Sequence, residues 1–63
     1  MEGGRMRIEI RITTTGTNDR GEPVEECSDT IRTTQAGLSD RRERDRIEGA
    51  GRYIIIEQLD KMN

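Results

Sequence analysis

A chain of 63 residues with 29% hydrophobic and 38% charged content has room for one small domain, and residues 1–63 read as a single unit. With no His, one Cys and a single aromatic residue, Tyr53, it can form no internal disulfide, no credible structural zinc site and no aromatic core. The formal net charge of −2, with the signs interspersed, selects no particular partner.

A domain of this size buries only about 60% of the surface its unfolded chain exposes. Natural domains below about 70–80 residues add disulfides, a metal or a partner subunit. Composition removes the first two, so a homo-oligomer or a larger protein partner is the expected source of the missing stability.

In chain order, Met1–Gly4 reads as a loose end. From Arg5 to Thr15, Met6, Ile8, Ile10 and Ile12 alternate with Arg5, Arg7, Glu9 and Arg11. Successive strand side chains point to opposite faces, so this is a strand with one apolar and one charged face. Residues 16–21 are dense in turn formers, with Gly16 and Gly21 available for positive φ. The next stretch, 22–34, is ambiguous. Val24, Cys27 and Ile31 fit helical spacing behind Pro23, whereas Thr30, Ile31, Thr33 and Thr34 are β-branched and favour a strand. We read it as the second arm of a hairpin, with Cys27, Asp29, Ile31 and Thr33 on one face if a bulge absorbs Val24. Gln35–Leu38 is a connector.

The C-terminal part sets the fold. Asp40 is an N-cap candidate, and Glu43, three residues on, completes a capping-box pattern. Gly49, Gly51 and the run Ile54-Ile55-Ile56 argue for a helix that stops early and a third strand at 52–59, giving ββαβ. Periodicity argues for continuation: Ile47, Ala50, Gly51, Ile54, Ile55 and Met62 share one helical face, with Gln58 the one polar intruder. A helix stopping at Glu48 would own one apolar residue, Ile47, and nothing to pack with. A helix over 41–61 is about 30 Å long, close to the roughly 35 Å of an 11-residue strand. The expected fold is therefore α+β, an N-terminal β-hairpin packed by one C-terminal helix (ββα), with ββαβ as the alternative. Gly51 is expected to allow close approach of helix and sheet. The expected core is Ile8, Ile10, Ile12, Ile31, Ile47, Ile54 and Ile55, with Arg7, Glu9 and Arg11 exposed.

Candidate chemistry is thin. Residues 40–46 are almost wholly charged, and pairs such as Asp40–Arg44 and Arg42–Asp45 make them a solvated helix face. Arg41, Arg42 and Arg44, with Arg5, Arg7 and Arg11 on the first strand, form the alternative reading, an Arg-based nucleic-acid surface. Acids interrupt both rows, and phosphate binding needs unneutralised charge. Cys27 has Glu25, Glu26 and Asp29 beside it, which disfavours a reactive thiolate, so it reads as a small buried hydrophobe. The acidic cluster lacks an EF-hand loop, and no Lys-Ser/Thr follows a glycine-rich turn.

With no His and no evident base, the sequence points to a non-enzyme with no catalytic or metal residues, cofactor or small-molecule substrate. Residues 1–5 lack the apolar core of a signal peptide, and no run approaches the roughly 18 apolar residues of a membrane span, so a cytoplasmic protein is expected. The expected function is a protein-interaction module, self-associating, that is a structural part or inhibitor of a larger complex. Tyr53, Ile56 and Leu59 fall off the sheet-facing side of the helix and are the candidate interface. A homodimer is expected, by edge-to-edge strand pairing or by helix packing through Ile56 and Leu59.

Overall fold

The computed structural model describes residues 6–63; the segment Met1–Gly4 and Arg5 lie outside the described residues. Strand β1 runs Arg7–Thr17, strand β2 runs Pro23–Thr34, a 3-10 turn occupies Ala36–Ser39 and helix α1 spans Arg41–Met62. This is the ββα arrangement; residues 52–59 are helical and no third strand forms among the described residues.

The strands pair antiparallel, with Ile8 opposite Thr33, Ile10 opposite Ile31, Ile12 opposite Asp29 and Thr14 opposite Cys27. That register puts the β1 isoleucines on the same face as Cys27, Ile31 and Thr33. It slips next to the turn, where Gly16 pairs with Glu25 and Thr17 with Pro23, so Val24 is the bulged residue. The turn is held by Asn18, whose Oδ1 accepts from the Arg20 and Glu22 amides at 2.9 and 3.0 Å. Gly21 adopts φ +77°, a left-handed conformation that a side chain would strain.

Helix α1 starts as expected: Asp40 Oδ1 accepts from the Arg42 amide at 3.0 Å. The capping box does not form. The Asp40 amide already donates to the Gly37 carbonyl of the 3-10 turn, which leaves Glu43 free to bind elsewhere. Among the described residues, Glu43–Arg46 and Glu48–Arg52 are the ion pairs of α1, in place of Asp40–Arg44 and Arg42–Asp45.

The helix lies along the inner face of the hairpin and packs equally against both strands. Ile31 and Ile54 are buried at 5% and 7% exposure, and Gln58 is deeper still at 3%. Ile8, Ile10, Ile12 and Ile47 are only half-buried. The reason is thickness: the Cα extents are 47 × 24 × 11 Å, one sheet and one helix deep. Ile55 departs from expectation and is 46% exposed. At about 100° per residue it trails Ile54 by more than a quarter turn, and a two-stranded sheet is too narrow to hold both. Ile54 takes the inner position because Ile47 and Gln58 flank it on the same row. Gly51 faces Ile12 and Ile31, but a Cβ there would meet their Cδ1 atoms at 3.9 Å, ordinary contact, so close approach does not demand glycine.

Two stability tests follow. Gly49 has open space and Gly51 has ordinary contact, so Gly49→Ala and Gly51→Ala should each raise stability by up to about 1 kcal/mol in thermal melts. Loss of stability in Gly49→Ala would contradict a continuous helix. Ile54→Ala should cost about 2–5 kcal/mol, and Ile55→Ala much less; the reverse ranking would overturn the helix orientation.

Candidate interaction surface

Two side-chain assemblies fix α1 on the hairpin. At the far end, Gln58 Nε2 donates to the Ile12 carbonyl at 2.8 Å, and Thr14 Oγ1 donates to Gln58 Oε1 at 2.6 Å. Both ends of a buried amide are thus satisfied, which is what makes its burial tolerable. At the near end, Thr33 Oγ1 donates to Glu43 Oε2 at 2.6 Å, and Arg46 grips both Glu43 oxygens at 2.8 Å. Arg46 Nη2 also donates to the Arg32 carbonyl at 3.1 Å. Gly37 packs against this cluster: a Cβ there would come within 3.0 Å of Glu43 Cγ and Thr33 Oγ1. The fork of Arg46, then the Thr33 hydroxyl, hold the Glu43 carboxyl down from 4.5 to about 2.

These bonds leave the two sheet edges unequal. The Gln35 amide donates to the Met6 carbonyl, so Met6–Gln35 is a hydrogen-bonded pair. Alternation then turns the amides and carbonyls of Arg7, Glu9, Arg11, Thr13 and Thr15 outward on β1, and those of Glu26, Ser28, Thr30, Arg32 and Thr34 outward on β2. On β2 the edge is blunted: Arg46 occupies the Arg32 carbonyl, Asp29 Oδ1 accepts from the Thr30 amide at 2.8 Å, and the Val24 bulge and Pro23 interrupt its start. On β1, no hydrogen bond among the described residues reaches the outward groups. Its edge is continuous from Arg7 to Thr17.

The helix flanks differ in the same sense. Over β2 lie Arg46 and Tyr53; the Glu57 carboxylate beside the Tyr53 hydroxyl raises its pKa above the ordinary value. Over β1 an open groove of about 550 Å³ is lined by Ile10, Leu38 and Ile47 with Arg41, Arg44 and Glu48. Continuing along that flank at about 100° per residue brings Ile55 and Leu59 to the β1 side, with Ile56 next to them. Ile55, Ile56 and Leu59 are 46%, 59% and 56% exposed, and Leu38 is 41% exposed. Sequence periodicity located Ile56, Leu59 and Tyr53 at the surface but missed Ile55 and Leu38, which only the helix orientation reveals.

The arginines do not converge. Arg7 and Arg11 sit on the outer sheet face, where Glu9 pairs with Arg32 at 3.3 Å; Arg41 and Arg44 line the groove; Arg42 lies on another side of α1. Arg5 lies outside the described residues. Cys27 is half-buried, its Sγ 4.0 Å from the Gln58 carbonyl oxygen. Among the described residues no group of three or more acidic, Cys or His side chains is placed to hold a metal ion. No helix of the described residues is long and apolar enough to cross a membrane. No protein family, curated protein or solved structure matches this chain.

Acid should probe the Glu43 cluster. Its folded pKa lies below the unfolded 4.5, so the ionised carboxylate stabilises the fold above that pH, and the contribution is lost as pH falls toward 2. Glu43→Gln should lower the melting temperature at pH 7 and flatten its decline between about pH 4.5 and 2. Parallel acid profiles for both proteins would show that the cluster contributes nothing.

Proposed function

We propose that this chain is a small, non-enzymatic protein-interaction module that works as a homodimer, as a structural part or inhibitor of a larger assembly. The observation that carries the reading is the apolar strip of Ile55, Ile56 and Leu59, three large side chains left in water by a protein whose buried apolar core, among the described residues, is Ile31 and Ile54. A domain with so small a core gains most from covering such a strip. The half-buried free thiol of Cys27 suits a reducing, cytoplasmic setting.

Binding to nucleic acid draws less support. Arg7 and Arg11, Arg41 and Arg44, and Arg42 occupy three surfaces, and a phosphate backbone is best met by one. Neither Glu9 nor Asp45 is removed from its basic neighbours.

Self-association predicts a melting temperature that rises with protein concentration and a dimer mass by light scattering. A monomer mass at high micromolar concentration with a concentration-independent melt would overturn the homodimer. Binding to DNA or RNA that falls steeply with salt would favour the alternative.

A further inference from the structure

We propose that the homodimer forms through the free edge of β1, two copies pairing antiparallel about a two-fold axis at Ile10 to make one four-stranded sheet with both helices on the same face. The inference rests on the self-association reading and adds its surface, its symmetry and its register.

Three observations select the β1 edge. Its outward amides and carbonyls are unoccupied among the described residues, whereas on β2 Arg46 occupies the Arg32 carbonyl and Asp29 the Thr30 amide. The groove that joins Ile10, Leu38 and Ile47 with Arg41, Arg44 and Glu48 opens on the β1 side. The exposed Ile55 and Leu59 project toward that same side.

Charge and apolar pairing together select the register: centring on Ile8 would also oppose Glu9 to an arginine, Arg7, but leaves Ile12 with no isoleucine opposite. The residues facing outward on the free edge read Arg7, Glu9, Arg11, Thr13. Centring the pair on Glu9 would oppose Glu9 to itself and Arg7 to Arg11, a like-charge arrangement. Centring it on Ile10 opposes each Glu9 to the Arg11 of the other copy and each Arg7 to Thr13. The same register lays Ile10 against Ile10, and Ile8 against Ile12, on the inner face. Those are the three strand isoleucines that one helix leaves half-buried.

The helices then fit. Each α1 lies centrally over its own hairpin, so the two axes stand about two strand spacings apart, roughly 9–10 Å. Packed helices adopt 8–10 Å. They run antiparallel, and each brings its Ile55 toward the end of the other copy where Leu38 is exposed.

Cysteine pairing tests the register. In a Cys27→Ala background, Glu9→Cys and Arg11→Cys copies are mixed and mildly oxidised. Facing residues of a hydrogen-bonded pair have Cα atoms about 5.5 Å apart, within disulfide range. Identical residues would stand roughly 8–9 Å apart and out of range. The mixture should cross-link, and neither variant should do so alone. Cross-linking of Glu9→Cys with itself would overturn the register. A dimer mass with no cross-link in any sample would overturn the edge and leave the homodimer standing; a monomer mass would overturn both. As a second arm that leaves each monomer intact, Arg11→Glu sets Glu against Glu9 at two symmetric places and should weaken the dimer roughly tenfold, while Arg11→Lys should not. Equal dissociation constants for all three proteins would contradict the pairing.

Discussion

A two-stranded ribbon has one face to bury and two edges to protect, and a single helix can cover only the face. The whole chain is organised around that contact layer. Ile8, Ile10 and Ile12 on β1 and Ile31 on β2 share the inner sheet face, and Ile47, Gly51 and Ile54 form the helix row that lies over it, with Gly51 facing Ile12 and Ile31. Past this apolar patch the helix is held by a polar clamp, Gln58 between Thr14 and the Ile12 carbonyl. A buried amide is a poor source of net stability but a good source of specificity: left unpaired it is costly, so it penalises any other rotation or register of α1. The Thr33–Glu43–Arg46 cluster performs the same service at the other end. Two polar clamps with an apolar patch between them fix the helix where propensity alone, with two glycines in its middle, would not.

Much of this was legible. Strict alternation in β1 declares a strand, and the turn composition after it declares a hairpin. Cys27, Ile31 and Thr33 share a face by simple alternation, and Val24, out of phase with them, marks the place of the bulge. The helix had to run through Gly49 and Gly51 because a shorter one would have owned a single apolar residue. What sequence could not supply was whichever choice depended on the partner surface. Ile54 and Ile55 are equivalent to a periodicity argument and only a sheet two strands wide separates them. Glu43 fits a capping box by spacing, but the 3-10 turn satisfies the Asp40 amide first and diverts it to Thr33 and Arg46. The inequality of the two edges was invisible, because it turns on Arg46 reaching across to a carbonyl fourteen residues away.

That inequality carries the choice of surface for the proposed dimer. Free strand edges invite pairing, and natural proteins blunt those that must stay single. Here one edge is blunted by a bulge, a proline, an aspartate and an arginine, and the other is left continuous beside exposed apolar side chains. On the reading proposed above, the open side is the side on which the partner pairs. In the proposed dimer, pairing of β1 with its own copy would cover the half-buried isoleucines and the groove with chemistry the chain already carries.

The most direct test is residue-resolved amide hydrogen exchange across a range of protein concentrations. Ile8, Ile10 and Ile12 donate within the hairpin and should be protected at every concentration. The amides of Glu9, Arg11 and Thr13 face the free edge and should exchange rapidly when dilute, then become protected as concentration rises, while Ser28 on the β2 edge stays unchanged. Rapid exchange of Glu9, Arg11 and Thr13 at all concentrations, with the hairpin amides still protected, would contradict pairing through β1.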